Sequence, residues 1–458
     1  MQPFIEPLSP IFKFLQVNSA IFQWLEIFVL LIFLLKIFEQ TWLFYKQSIF
    51  KQGIEWVLLE IKIPREVLRT PLAMEQFFMN VHGLRNAAGN LLEKYVDGEV
   101  TLWWSLEMVS FGGEIHFYIR TPKKHKKMIE AGLYAQYPYT EMSEVKDYMD
   151  EFPKETREIY QKGNNIFGGE LILKKADIYP ITTYERFELS KDEMAIDPIS
   201  ALLEVLSNIH KEEKFYLQIL IRPLGSEWQE EGKKLVDKLV GRKTKKDSTV
   251  GDTLSDIARN VFMSPVEHPK WAGGEKGKEE KLDLQMMKMT PGEKDIIQAI
   301  EDGISKPGFA TVIRYLYYAP NSIFSTNFAR RGLIGAMNQY ASQGLNSFRA
   351  NNKVETRSRW VYFPYLFVKK RVEARKQRLL YNFRNRKMPE ELKLGRAYTS
   401  HPLNFNTQSR SFILNTAELA TLYHIPAEGV LTAPHIKRAE SKRMGPPAGL
   451  PIFEEEKK

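Results

Sequence analysis

Residues Thr101–Arg120 read TLWWSLEMVSFGGEIHFYIR. Leu102, Trp104, Leu106 and Met108 recur at period two and share one face. Gly112–Gly113 then supply a turn, and Ile115, Phe117 and Ile119 answer with the same period. The stretch therefore predicts an antiparallel hairpin. Upstream, IEWVLLEIKI (Ile54–Ile63) alternates with Val57, Leu59, Ile61 and Ile63 on one face. Thr70 is placed to cap, and Pro71 to start, a helix that ends near Gly83. Downstream, Thr121–Pro122 opens another helix, and YPYTEM (Tyr137–Met142) supplies a short fourth strand. A βαββα series closed by a fourth strand is the ferredoxin-like pattern, here predicted over 53–145.

A second α+β unit is predicted over 165–350. GGELILKK (Gly168–Lys175) and TYERFEL (Thr183–Leu189) read as strands. Asp197 caps and Pro198 starts a helix with Ile199, Leu202, Leu203, Leu206 and Ile209 on one stripe. KFYLQILIRP is a strand and SEWQEEGKKLVDKLVG an amphipathic helix. Residues 241–283, rich in Lys, Gly, Glu, Ser and Thr, lack periodicity and read as a flexible insertion. A helix over about Pro291–Ser305, the strand FATVIRYLYYA and a helix over Ser322–Ser342 resume the rhythm. A basic helical segment over 352–388 and a C-terminal capping or docking segment over 389–458 complete the chain. In the latter, LNTAELATLYHIP (Leu414–Pro426) predicts a helix capped by Asn415. Glu418 closes a capping box, Leu414 and Leu419 form a staple, and Pro426 stops the helix after Ile425.

Before these units, after an N-terminal tail (1–19), lies AIFQWLEIFVLLIFLLKIFEQTWL (Ala20–Leu43), long enough as a helix to cover about 36 Å. It predicts a transmembrane helix over 20–45. Its charge-free centre is Ile27–Leu35, Lys36 can pair with Glu39, and Trp24, Trp42 and Tyr45 lie where an aromatic belt would be. No small-residue cleavage site follows, so an uncleaved anchor is expected. Lys46, Lys51, Lys62 and Arg65 follow the helix, which predicts a single-pass chain with its C-terminal bulk in the cytoplasm. A helix lying on the membrane surface is the alternative. Val29, Leu30 and Phe33 at mid-depth on its polar half spoil an interfacial stripe. The fold class expected is thus α+β, with ferredoxin-like α/β sandwich units and a long basic helix behind a transmembrane helix.

Composition excludes several chemistries. The 458 residues carry no cysteine, so disulfide frameworks, thiolate zinc sites and thiol catalysis are out. The nearest approach to a phosphate-gripping P-loop, AGGEKGKEE, has Ala272 for the first Gly and Glu279 for the hydroxyl. The eight histidines never reach ligand spacing on one helix face. His424 and the pair Glu390–Glu391 read as helix-end charges. No catalytic, cofactor-binding or metal-ligating residue is predicted, and a non-enzymatic protein is expected.

The net charge of +9 is concentrated: residues 351–410 hold 15 Lys/Arg against 4 Asp/Glu, and the rest of the chain is net −2. Within PYLFVKKRVEARKQRLLYNFRNRK (Pro364–Lys387), Glu373 is the one acid. Lys369, Lys370, Arg371, Arg375, Lys376, Arg378, Arg384 and Arg386 are the candidate contacts for nucleic acid or anionic lipid. Arg371, Arg375 and Arg378 form an i, i+4, i+7 stripe expected to be exposed. Tyr381 and Phe383 are rings that could stack bases. PKKHKK (Pro122–Lys127) forms a second cluster at a helix N-terminus. A plain solvated helix face accounts for the same residues.

From Ile54 onward the sequence resembles the region that precedes the motor in bacterial conjugative type IV secretion, or DNA-transfer, ATPases. The matching segments are IEWVLLEIKIPREVLRTPLAMEQ (Ile54–Gln76), DPISALLEVL (Asp197–Leu206), QILIRP (Gln218–Pro223), LNTAELATLYHIP and PPAGLP (Pro446–Pro451). All are framework, and the resemblance hands over no catalytic residue. The family pattern continues past LPIFEEE into a strand and a Walker A loop, whereas this sequence stops at Lys458. The resemblance therefore implies a membrane-anchored adaptor whose motor is a separate polypeptide or absent. The partners it implies are a translocation ATPase and other secretion components, with DNA, membrane lipids and a second copy of the chain compatible with it. A membrane-associated nucleic-acid-binding protein without a motor, and a structural membrane scaffold, are the alternatives.

Overall fold

The computed structural model describes residues 9–64, 69–188, 197–240, 289–357, 367–403 and 409–426, with side chains from Gln23 onward. The predicted insertion at 241–283, the PPAGLP segment and residues 1–8 of the N-terminal tail lie outside the described residues.

Helix α1 (Ser9–Gln52) is one unbroken helix of 44 residues. Its apolar run leaves Trp24 and Ile27–Leu35 exposed, at 45–72% of their full accessible area. Gln23–Gln52 is long and apolar enough to cross a membrane, by length and composition. Lys36 Nζ pairs with Glu39 at 2.8 Å, as its i+3 spacing predicts.

The body is mixed helix and antiparallel sheet. Strand β1 (Trp56–Lys62) leads to α2 (Leu72–Gly83), then β2 (Trp104–Phe111), β3 (Glu114–Pro122), α3 (Lys126–Gln136) and β4 (Glu141–Val145). Phe111 pairs with Glu114 across Gly112 and Gly113, whose φ values of 60° and 95° give the two-residue turn that a right-twisted hairpin favours. Three details differ from the expectation. Thr70 makes no side-chain cap to α2. Strand β3 runs on through Pro122, and a 3-10 turn (Lys123–His125) precedes α3. The fourth strand begins one residue before the end of the YPYTEM segment, because Tyr137 and Thr140 close a turn first.

After α4 (Thr156–Gln161), the second series is β5 (Asn164–Leu173), α5 (Tyr184–Glu188), α6 (Ser200–Ser207), β6 (Lys214–Pro223), α7 (Glu227–Val240), α8 (Pro291–Ser305), β7 (Gly308–Pro320), α9 (Thr326–Met337) and β8 (Phe348–Ala350). TYERFEL is therefore helical at its centre, not a strand. Its backbone is held elsewhere: Tyr184 N donates to Thr421 Oγ1 at 2.9 Å. Helix α9 also starts later than predicted, at the Ser325 cap, whose side chain accepts from Phe328 N. The basic helix α10 (Val368–Arg384), α11 (Lys393–Tyr398), β9 (Phe412–Asn415) and α12 (Thr416–Leu422) follow. Asn415 and Glu418 form the predicted capping box, but α12 ends at Leu422, short of Pro426.

The two series share one sheet, in the order β4-β1-β3-β2-β6-β7-β5-β8, with β9 pairing the start of β7. Every neighbour pair is antiparallel. The first face carries the larger core. Val57, Leu59, Ile61, Leu106, Met108, Phe117 and Ile119 meet Met74, Phe77, Ile129, Leu133, Leu202, Leu206, Leu333 and Leu419 from α2, α3, α6, α9 and α12. Each fully buried side chain of this size contributes about 1.5–3 kcal/mol. The second face is closed by α4 and α10: Leu58, Val109, Tyr118, Tyr216 and Leu316 contact Ile159, Leu379, Leu380 and Phe383.

Candidate functional site

The second face of the sheet is not wholly apolar. Ladder pairing sets Glu60 opposite Tyr118, Tyr118 opposite Glu107, Glu107 opposite Gln218, Gln218 opposite Arg314 and Arg314 opposite Glu170. One in-register polar line thus crosses six strands, and all six residues are buried. Arg314 Nε donates to Glu170 Oε1 at 2.8 Å, and its Nη1 to the carbonyl of Lys387 at 2.6 Å.

The C-terminal end of α10 docks on this line through Arg386, which is fully buried. Its Nε and Nη2 donate to the two oxygens of Glu107 at 2.9 and 3.1 Å. Its Nη1 and Nη2 donate to Asp147 at 2.6 and 2.9 Å, and Nη1 also to the carbonyl of Arg384 at 3.0 Å. All five guanidinium N–H groups therefore have acceptors. Glu107 accepts further from Ser105 and Tyr148, each at 2.5 Å. Burial pushes the Glu107 carboxyl up, but the Arg386 charge and these hydrogen bonds outweigh it and hold the group down, to about 2. Burial, with the Arg386 charge nearby, lowers Arg120 to about 10; its guanidinium lies 4.3 Å over the Trp56 ring. Arg386 itself sits at φ 46°, a left-handed conformation that its side-chain clamp stabilises.

The other predicted contact residues divide. Arg375 is buried, and its Nη1 donates to the carbonyls of Glu355 and Arg357 at 3.4 and 3.5 Å. Lys376 Nζ donates to Asn165 Oδ1 at 2.7 Å and to Tyr160 Oη at 3.2 Å, and burial lowers its pKa. Arg378 Nη2 donates to the carbonyl of Thr399 at 2.9 Å, and burial lowers it too. Arg384 donates to the carbonyl of Phe152. Thus most of the eight have partners inside the molecule, Lys370 lying 5.7 Å over the Phe367 ring, and the 371/375/378 stripe is not the exposed track its spacing suggests. Arg371 is partly buried, while Lys369 and Lys370 are exposed at the start of α10. Phe383 is fully buried against Tyr216, and Tyr381 remains exposed. In the second basic cluster, Lys123 pairs with Glu55 and Lys126 with Glu144, while His125 stacks on Trp104.

Two histidine and carboxylate contacts were missed by sequence. His424 is buried with Nε2 at 2.7 Å from Asp197 Oδ1 and Nδ1 at 2.7 Å from the carbonyl of Ala420, so it ties α12 to the turn before α6, which starts at Ser200 rather than at Pro198. Glu75 on α2 receives Tyr184 Oη at 2.6 Å and Lys306 Nζ at 3.0 Å. Nothing in the local sequence pairs these residues. Among the described residues, no group of three or more His, Cys, Asp or Glu could hold a metal ion.

The base of α1 is built into the body. Trp42 Nε1 donates to the carbonyl of Tyr95 at 2.7 Å, and Tyr95 Oη donates to Glu39 at 2.6 Å. Thr41 Oγ1 lies 3.0 Å from Tyr398 Oη, Phe44 tilts against the Tyr398 ring, and Lys51 pairs with Glu390 at 3.0 Å. A family model described as Domain of unknown function (DUF8128) matches residues 45–438, from this base through to beyond α12. No curated protein matches the chain.

Proposed function

The chain belongs to this family, and on the resemblance of its framework segments we propose that it is a membrane-anchored, non-enzymatic adaptor of a type IV secretion-like DNA-transfer machine, docking a separate translocation ATPase. The observation that carries the reading is the continuity of α1, which runs without a break from its apolar run into contacts with Tyr95, Tyr398 and Glu390. An unbroken helix clamped at its base fixes the height and rotation of the body below the bilayer. A docking platform needs that constraint.

The body is read as two ferredoxin-like units. The order β4-β1-β3-β2 recurs as β8-β5-β7-β6 in the second half, with α7 and α8 inserted between β6 and β7. The segments that resemble the transfer ATPases fall on β1–α2, α6, β6 and α12, which meet around the first core, as expected of shared framework. The proposed setting is the inner membrane of a bacterium, single-pass, with the C-terminal bulk in the cytoplasm. A translocation ATPase, other secretion components and membrane lipids are the proposed partners.

Three measurements test this. Alkaline carbonate should leave the protein in the membrane, and a DNA-translocating ATPase should co-purify with it from detergent-solubilised membranes. Extraction by carbonate refutes the anchor, and calorimetric ATP binding that depends on Mg²⁺ refutes the adaptor. One observation favours a second reading, a structural membrane scaffold: most cations of α10 are engaged with the protein's own backbone and side chains. Co-purification of the ATPase is expected under the first reading and not under the second.

A further inference from the structure

The exposed apolar surface does not end with α1. The helical turn that includes Glu93–Asp97 leans on the base of that helix, and its contacts climb α1 residue by residue. The Cα of Gly98 lies so close to Lys46 that a Cβ would stand 2.5 Å from the Lys46 carbonyl carbon. The Tyr95 carbonyl accepts from Trp42, and Tyr95 Oη reaches Glu39. Going back along this turn therefore means going up α1 towards its apolar run. The residues at its upper end are Leu91 and Leu92, 72% and 68% exposed, with Val96 at 52%. On the α11 flank of the helix, Tyr398 contacts Thr41 and Phe44 and is 54% exposed.

The geometry points to a collar that enters the bilayer interface. Trp42, Leu91, Leu92, Val96 and Tyr398 surround the helix where it leaves the membrane and seat the body in the headgroup and upper acyl region. The inference rests on the reading of α1 as a membrane anchor. Three observations commit the surface to lipid. It is continuous with the exposed face of α1 rather than a separate patch. It carries leucines beside an amphipathic Trp and Tyr, the composition suited to an interface where one end is apolar and the other wet. And the paired Lys36 and Glu39 close the charge-free centre Ile27–Leu35 on the side of the body, which sets the hydrocarbon boundary near the level where the collar begins. Lys94, on the same turn and 5.2 Å over the Tyr95 ring, adds a cation at headgroup level.

The absence of cysteine makes the test direct. Single cysteines are introduced at Phe28, Leu92 and Glu114 of the full chain, labelled with a polarity-sensitive fluorophore, and reconstituted in phosphatidylcholine–phosphatidylglycerol vesicles. Glu114 is at the β2–β3 hairpin tip, at the end of the sheet away from α1. Lipids spin-labelled near the headgroup should quench the label in Leu92→Cys, lipids spin-labelled deep in the chain should quench Phe28→Cys, and neither should quench Glu114→Cys. If Phe28→Cys is quenched and Leu92→Cys behaves like Glu114→Cys, the anchor stands and the collar is refuted. If Phe28→Cys is not quenched, the anchor fails and the collar falls with it.

Discussion

Replacing Arg386 by Met removes five hydrogen bonds and one charge from the buried network while keeping most of the side-chain volume. Glu107 then remains buried with no cation at contact distance. Removing one partner of a buried ion pair costs about 3–5 kcal/mol, mostly because the remaining charge is uncompensated. Urea unfolding of the full chain in detergent micelles, followed by tryptophan fluorescence, measures this; Trp103 is a built-in reporter, since its Nε1 donates to the Arg386 carbonyl at 2.8 Å. The pH dependence supplies a second reading. In the parent, Glu107 is depressed to about 2, so its contribution is present above the ordinary carboxylate range and is lost as pH falls towards about 2. The depression is worth on the order of 3 kcal/mol. Without Arg386, burial is opposed only by neutral hydrogen bonds such as those from Ser105 and Tyr148, so Glu107 rises and the acid loss of stability moves to higher pH. Adding Glu107→Gln to Arg386→Met removes the orphaned charge and should recover part of the loss, giving a large coupling in the double-mutant cycle. A single variant within about 1 kcal/mol of the parent, with its acid limb unmoved, would show that α10 is held to the sheet by Leu379, Leu380 and Phe383 alone.

The remaining predictions concern one residue or pair each. Arg375→Gln should cost about 1–3 kcal/mol by thermal or urea unfolding, because Arg375 is buried on backbone carbonyls, whereas the exposed pair Lys369→Gln and Lys370→Gln should stay within about 0.5 kcal/mol. Glu418 is raised by burial to about 7, so its contribution is fully present below the ordinary carboxylate range and fades as pH rises through about 7; Glu418→Gln keeps a capping-box acceptor and should flatten the stability profile over that window. Gly98→Ala, at φ 72° and with a Cβ that would meet the Lys46 backbone, should cost about 1–3 kcal/mol and speed amide exchange along the lower end of α1.

Much of the fold was legible because its first face obeys a simple rule. Val57, Leu59 and Ile61, then Leu106 and Met108, then Phe117 and Ile119, alternate at period two and enter one core. The strand KFYLQILIRP and the helix predicted over Pro291–Ser305 match β6 and α8, and the structure adds a Thr290 capping box at the start of the latter. The intervening residues were harder. Glu60, Glu107, Gln218, Arg314 and Glu170 occupy the alternate positions, which read as solvent-facing, and all are buried. A polar line buried under a helix has the same period as a polar line in water, so alternation alone does not separate the two. TYERFEL failed differently: its composition suits a strand, but its backbone is held by Thr421, whose Oγ1 accepts from Tyr184 N, a partner distant in sequence.

The basic helix shows why counting charges along the chain misleads about surfaces. The net +11 of residues 351–410 suggests unbalanced repulsion that an external anion would relieve. Much of the balance is internal and distant in sequence. Arg386 is matched by Glu107 and Asp147, more than two hundred residues upstream. Arg375, Arg378 and Arg384 are matched by carbonyl oxygens of Glu355, Thr399 and Phe152, which carry no formal charge and leave no mark on a charge count. A guanidinium presents five donors and can therefore be satisfied by backbone as fully as by phosphate. A cluster of arginines with few local acids is thus as much a signature of a helix that seals a polar sheet face as of one that grips a nucleic acid. What distinguishes them is the hydrophobic set between the arginines. Leu379, Leu380 and Phe383 recur at i, i+1 and i+4, facing one side of α10, and a helix that must bury that side carries its neighbouring arginines down with it.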